Sequence, residues 1–505
     1  MNEEQYNALC EACDQLLLAS DSTTERIATP WLHVIRPHPI FLESYADIFG
    51  PQKAVYGKRH ILNFASALRN LLKAIAGGGL PWSGVGELTQ KCDVLMVSHL
   101  VNEAFTGQEG DFYYGKAAGE LAELGISATI ALINYTDMAP ATLAGRWRQA
   151  KIPRVIFSSV LSFTDEWALF RRARAEARRL KAYAATQTND LISRVATRAG
   201  QEARSGGAIS ALRLGEQIKA LVTRLKPRVI LVTYEGHSWE RIAFAAARSV
   251  SPQIFCIGYQ HAALFNLQHA VQRRLADACN PNAILTSGRV AQARLQKNPQ
   301  LIGETVEVLG SNRSFERQPV RAWRTDSGEA CACLVLPEGI LSECNLLFDF
   351  ALQCARRMPD IVFIWRLHPN MNYESLTQQN LAFRELPPNI VLSTHSLAED
   401  IDRSHWALYR GSTAIVQAAV SGVRPVYLHQ TGSIPIDTLY EIADLHAQVV
   451  DPDDFMALMT ETEASDASAK AEQVQNYCEL MFTPMDTRAL AACITGAQKG
   501  KSEVL

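Results

Sequence analysis

The sequence predicts an α/β protein made of two tandem Rossmann-like, doubly wound domains behind a helical N-terminal extension, and three observations carry that expectation. The chain has 505 residues, more than one hydrophobic core usually organises. From Cys92 onward short apolar runs alternate with amphipathic segments, the texture of βαβ units. A polar, aperiodic stretch interrupts that texture, after which it resumes. The expected organisation is an extension over 1–90, a first domain over 91–312, a linker over 313–330 and a second domain over 331–505.

The extension is mostly helical in pattern, broken by the irregular run TPWLHVIRPHPIFLESY and by the glycines of AGGGLPWSG. It opens acidic, without the basic start and apolar run of a secretory signal, so a cytoplasmic protein is expected. Cys10 and Cys13 form a lone CxxC on a helical segment. A structural zinc site needs a second ligand pair, so these and the other scattered cysteines read as reduced thiols.

In the first domain the strands expected are CDVLMVSHL, ISATIALINY, RVIFSSV, PRVILVTYEG, QIFCIGYQH, NAILTSG and TVEVLGS. Between the third and fourth lies a long charged helix carrying Arg171, Arg172, Arg174, Arg178, Arg179 and Lys181, either a solvated face or a surface for anionic lipid or an acidic acceptor. In the second domain the strands ACLVLPEG, DIVFIWRLHP, NIVLSTH, HWALYRG and VRPVYLHQ alternate with helices such as LSECNLLFDFALQCARRM and STAIVQAAVSG.

Lys and Arg total 49 against 52 Asp and Glu, a formal charge of −3, which gives no basic excess to hold nucleic acid through its phosphates. No window approaches the roughly 20 apolar residues of a membrane-spanning helix, so any contact with the inner membrane is expected to be peripheral. Neither GxGxxG nor GxxxxGK[ST] occurs, which sets aside Rossmann dehydrogenases and P-loop proteins.

Ligands of doubly wound sheets sit at the carboxyl ends of the strands, so chemistry is sought in the loops just after each apolar run. His368-Pro369 ends the strand that carries Arg366, where a proline-stiffened imidazole suits a phosphate. Arg410-Gly411-Ser412-Thr413 follows the strand WALY and opens a helix, so its hydroxyls and N–H groups either cap that helix or receive an anion. In the first domain Tyr234-Glu235-Gly236-His237 turns out of a strand, with Glu235 exposed by the glycine as a base for a sugar hydroxyl. Gln260 and His261 end the next strand, and His261 either holds the donor or orients Glu235. Glu338, in LVLPEG, reaches the interdomain cleft or is a buried turn carboxylate.

An EG turn in the first domain, with an HP dipeptide and a Gly-Ser-Thr helix start in the second, resembles the bacterial polysialyltransferases and the capsule and lipopolysaccharide Kdo-transferases. The motifs span roughly residues 230–430. The resemblance implies a GT-B glycosyltransferase. His368, Pro369, Ser412 and Thr413 would hold the CMP part of a CMP-sugar co-substrate, and Glu235 would act on the acceptor hydroxyl. Tyr234 stands where polysialyltransferases usually carry a second acidic residue, which turns the preferred donor toward Kdo or another nonulosonic acid. The implied acceptor is a glycan or lipid-linked glycan of a surface polysaccharide. Donors from His368 and from the helix start at Ser412 can neutralise the departing phosphate, so neither a metal nor a resident cofactor is expected. Competing readings are a nucleotide-sugar epimerase, which needs several cleft carboxylates, a CDP-polyol phosphotransferase, and a non-catalytic nucleotide-binding scaffold.

Overall fold

The computed structural model describes residues 1–50, 69–75, 79–84, 91–107, 110–315, 319, 323, 331–369, 371–460 and 467–499. Most of the linker expected over 313–330 lies outside the described residues.

The first sheet holds β1 (Trp82–Ser83), β2 (Val94–Leu100), β3 (Ala128–Asn134), β4 (Arg154–Phe157), β5 (Val229–Thr233), β6 (Phe255–Gln260), β7 (Ala283–Thr286) and β8 (Thr305–Val308). Their spatial order is β1-β4-β3-β2-β5-β6-β7-β8, and all pairs are parallel except β1 with β4. The second holds β9 (Ala332–Leu336), β10 (Val362–Trp365), β11 (Ile390–Leu392), β12 (Trp406–Tyr409), β13 (Arg424–Leu428) and β14 (Ala447–Val449), in the order β11-β10-β9-β12-β13-β14 and parallel throughout. Leaving aside the antiparallel edge strand β1, in each sheet the chain starts in the middle, winds to one edge and restarts beside its first parallel strand. That is the Rossmann order, and it opens a crevice where the direction reverses, between β2 and β5 and between β9 and β12.

Helices cover both faces, so the central strands are apolar throughout rather than alternating: Val94 to Val97, Val229 to Val232 and Cys333 to Val335 are fully buried. Every strand expected from the sequence is present. Two were missed, β1 with two residues and β14 with one buried residue among its three, both too short to show a period.

The extension is an integral part of the first domain. Its helix Glu3–Leu17, capped by Asn2, turns Leu9, Cys13 and Leu16 into a core shared with the helices Phe163–Thr186, Asp190–Glu202 and Gly206–Leu225. Buried Arg26 bonds buried Glu176 at 2.7 Å and also reaches Asp21, locking the extension to the helix Phe163–Thr186. All eleven cysteines are free, Cys10 and Cys13 included. On Phe163–Thr186 itself, Leu169, Ala173, Glu176 and Leu180 face inward, while Trp167, Arg171, Arg174, Arg178 and Lys181 form an exposed stripe. Arg172 and Arg179 are not part of that stripe's free charge, for they pair with Glu25, Glu216 and Glu176.

At the other end of the chain, the helix Ala467–Met481 packs in the second domain, after which the backbone crosses back. The helix Thr487–Lys499 then sets Leu490 and Ile494 against Tyr114 and Leu309 of the first domain. No described helix is long and apolar enough to cross a membrane.

Candidate active site

Each crevice carries a tight turn two residues beyond its strand. In the first domain Gly236 adopts φ +88°, and a β-carbon there would overlap the Ala270 carbonyl, so only glycine fits the turn that presents Glu235. The turn is held from beneath by Glu240, on the first turn of the helix Ser238–Val250. Its Oε2 accepts the backbone N–H groups of Glu235, Gly236 and His237 at 2.9, 2.7 and 2.8 Å. Burial raises the Glu240 pKa to about 7. Glu240 thus positions the loop rather than facing the cleft.

Around Glu235 the neighbouring strand ends supply histidines and aromatic rings. His237 Nε2 lies 3.4 Å from Glu235 Oε2. His261 packs on Tyr113 with centroids 4.4 Å apart, while His99, at the end of β2, stacks on Tyr135 at 5.1 Å and meets Trp239 edge-on at 4.9 Å. Burial lowers the pKa of His99 to about 3 and of His261 to about 4, so both rings are neutral near pH 7. The Nδ1 atoms of both are buried without a hydrogen-bond partner among the described residues. For His237 burial works against charge, but the Glu235 hydrogen bond and the charges of Glu240 and Glu235 prevail and raise its pKa.

Two of the first-domain candidates point away. Tyr234 is fully buried, its ring lying against Gly258 and under the Arg241 guanidinium at 5.0 Å. Gln260 is also fully buried and donates to the Ala262 carbonyl. Their place is the floor of the loops. Strand alternation explains it, since Glu235 and Tyr234 leave β5 on opposite sides.

In the second domain Glu338, Gly339, His368 and Gly411 meet at the ends of β9, β10 and β12. A β-carbon on Gly411 would overlap the Glu338 carboxylate, and one on Gly339 would fall 2.6 Å from His368 Nδ1. Burial lowers the His368 pKa against the opposing pull of Glu338. Pro369 is exposed beside it. Ser412 is buried and Thr413 half-buried. The helix they open, Ala414–Val420, has no side-chain cap bond, so simple capping does not account for the two hydroxyls.

Arg410 is the charge of this half. It is buried, and its Nε lies 2.8 Å from Glu343 Oε2, yet Nη1 and Nη2 make no hydrogen bond among the described residues. Its strand end is fixed by a buried relay in which Tyr409 donates to Asp437 at 2.6 Å and His446 bonds the other Asp437 oxygen at 3.0 Å. Arg366, by contrast, is committed to Asp400 at 2.8 Å and to the His395 carbonyl, which is a structural engagement.

The residues that join the halves come from the extension, and sequence reasoning missed them. Arg36 sets one terminal nitrogen 2.8 Å from each Glu235 oxygen. Two residues on, His38 accepts the Ile40 N–H at Nδ1, so its proton sits on Nε2, which donates to Glu338 Oε1 at 3.1 Å. Residues two apart span at most about 7 Å of chain. Glu235, which its turn leaves buried at 5% rather than exposed, and Glu338 therefore face one another across the segment 34–39. Two domains facing a shared cleft is the GT-B arrangement. Burial would raise the Glu235 pKa, but Arg36, the His237 hydrogen bond and His261 outweigh it and hold it well below the ordinary carboxylate value.

His38, Glu338 and Glu343 bring one ligand atom each within 4.8 Å of one another. Glu343 already pairs with the Arg410 guanidinium, whose positive charge opposes a cation there and favours an anion.

No family model and no curated protein matches the chain. Its overall shape is similar to that of the glycosyltransferase SnogD from Streptomyces nogalater, at 13% identity over 81% of this chain and 100% of the other, with a TM-score of 0.44. MurG of Acinetobacter baumannii is similar at 10% identity over 80% and 99%, TM-score 0.46. A putative UDP-N-acetylglucosamine 2-epimerase from Listeria monocytogenes is similar at 12% identity over 80% and 97%, TM-score 0.44.

Proposed function

We propose that the chain is a glycosyltransferase that moves an acidic sugar, Kdo or another nonulosonic acid, from a CMP-sugar to a glycan or lipid-linked glycan acceptor of a surface polysaccharide. The observation that carries the reading is the meeting of Glu235 and the Glu338–His368–Arg410 cluster across one cleft, joined by Arg36 and His38.

In the reaction the acceptor oxygen forms a bond to the anomeric carbon while the bond from that carbon to the phosphate oxygen breaks. Its electron pair leaves with CMP, and the acceptor proton passes to Glu235. In this reading the two Arg410 nitrogens that make no hydrogen bond among the described residues, with His368, Ser412 and Thr413, stabilise the charge that develops on the departing phosphate. That is electrostatic stabilisation by side chains, so the transfer is expected to run without added metal. The rings of Tyr113, Tyr135 and Trp239 beside Glu235 offer apolar faces to an acceptor sugar.

The direct experiment is thermal shift with CMP, CDP, UMP and UDP, followed by transfer assays. A ligand bound only by the native state raises its stability, so cytidine nucleotides should raise the melting temperature selectively. Glu235→Gln should keep nucleotide binding and lose transfer, whereas His368→Ala should weaken nucleotide binding. Preference for a uridine nucleotide would overturn the donor, and an active Glu235→Gln enzyme would overturn the base.

A further inference from the structure

Arg36 is delivered to the cleft by a stiff, strained strap. Val34 holds φ +47°, costly for a β-branched residue, and Pro37 and Pro39 fix the backbone on either side of His38. Upstream, buried His33 donates from Nε2 to the Ile27 carbonyl at 2.7 Å and accepts Arg273 at Nδ1 at 2.8 Å. Arg273 is itself tied to Asp14. Downstream, His38 bonds Glu338. A strap fastened at both ends is a holder for what lies between.

What lies between is a half-used guanidinium. Only Nη2 of Arg36 bonds Glu235, no hydrogen bond is made by Nε or Nη1 among the described residues, and the side chain is 35% exposed. The pair also leaves Glu235 a poor base, because a carboxylate beside a guanidinium holds protons weakly. A second cation, Arg410, has two nitrogens on the opposite wall that make no hydrogen bond among the described residues. A CMP-linked nonulosonic acid carries two anions on one carbon, the phosphodiester and the sugar carboxylate. Two walls therefore present two cations to a ligand with two negative groups.

We infer that Arg36 is the receptor for the carboxylate of the donor sugar, exchanging Glu235 for that carboxylate when the donor enters. The inference rests on the CMP-sugar reading and adds a selection step to it. With Arg36 turned to the sugar, Glu235 regains basicity, so the base is competent only when an acidic sugar is seated. Bidentate guanidinium–carboxylate geometry supplies the discrimination, and the nitrogens it needs make no hydrogen bond among the described residues.

The test is calorimetric binding of three probes to the full chain: CMP, a CMP-linked nonulosonic acid, and the same CMP-sugar with its carboxylate blocked as a methyl ester. The wild type should bind the acid at least tenfold more tightly than the ester. Arg36→Gln should abolish that difference while CMP affinity stays within about twofold, and Arg36→Lys should restore part of it. The Glu235→Gln background separates recognition from simple pairing with Glu235. There Arg36→Gln should still remove the preference for the acid.

Discrimination that survives Arg36→Gln overturns the inference, as does an Arg36→Gln effect that vanishes once Glu235 is Gln. If the wild type binds CMP but does not distinguish acid from ester, the nucleotide reading stands and this one falls. If it binds neither CMP nor either sugar, the donor reading falls first and takes this one with it.

Discussion

Gly411 lies against the carboxylate of Glu338 with no room for a β-carbon, whereas Gly236 is confined by the backbone carbonyl of Ala270. The two glycines therefore fail differently. Gly236→Ala forces a side chain into φ +88° and against rigid backbone, and should cost about 2–4 kcal/mol in urea denaturation. Gly411→Ala meets the mobile end of a side chain. It should leave the denaturation midpoint nearly unchanged while displacing Glu338 from His38, seen as faster amide exchange across 34–40 and weaker nucleotide binding.

Arg410 and Arg366 should part company in the same way. Arg410→Lys keeps the charge but removes the open fork, so CMP affinity should fall at least tenfold, about 1.4 kcal/mol, with little change in melting temperature. Arg366→Met strips a partner from buried Asp400 and should lower stability by about 1–3 kcal/mol while CMP affinity is retained.

The turn beneath Glu235 sets a pH dependence. The Glu240 pKa is about 7 in the fold and near 4.5 in an unfolded chain, so the native state binds the extra proton between those values. Stability should accordingly be full below pH 4.5 on this account and decline as pH rises toward 7, by up to about 3 kcal/mol. His237, also raised, works in the same direction. Glu240→Gln keeps an oxygen for the three amides and should flatten the decline, measured as unfolding free energy against pH.

The exposed stripe of Trp167, Arg171, Arg174, Arg178 and Lys181 bears on the peripheral membrane expectation. Each cation near an anionic surface is worth about 1 kcal/mol at low salt. Flotation with phosphatidylglycerol vesicles should capture the protein in low salt and release it in high salt. Reversing Arg171, Arg174 and Arg178 to Glu should abolish capture without changing CMP affinity. Equal capture by neutral vesicles would remove the stripe from consideration.

The sheets were legible because strands covered on both faces are written as apolar runs, and strand ends mark where ligands sit. Glu235, His261, Glu338, His368 and Arg410 all stand just beyond such strand ends. Which way a residue points was less legible: Tyr234 and Gln260 share those loops yet face the core, since one step along a strand reverses the side chain. Arg36 and His38 left no periodic signal. They sit in IRPHP, an aperiodic run whose only mark is two basic residues each followed by a proline, and what they contact is some two hundred and three hundred positions away. Nor does an amphipathic pattern say against which domain a helix packs, as Thr487–Lys499 shows.

That last helix makes the first domain discontinuous in sequence. Cutting the gene between the two sheets would give an amino-terminal product lacking the cover for Tyr114 and Leu309, and a carboxy-terminal product trailing an unsatisfied greasy ridge. Truncations meant to isolate the second domain would do better to stop near residue 482, and the first domain to be completed by adding the missing piece in trans as a peptide.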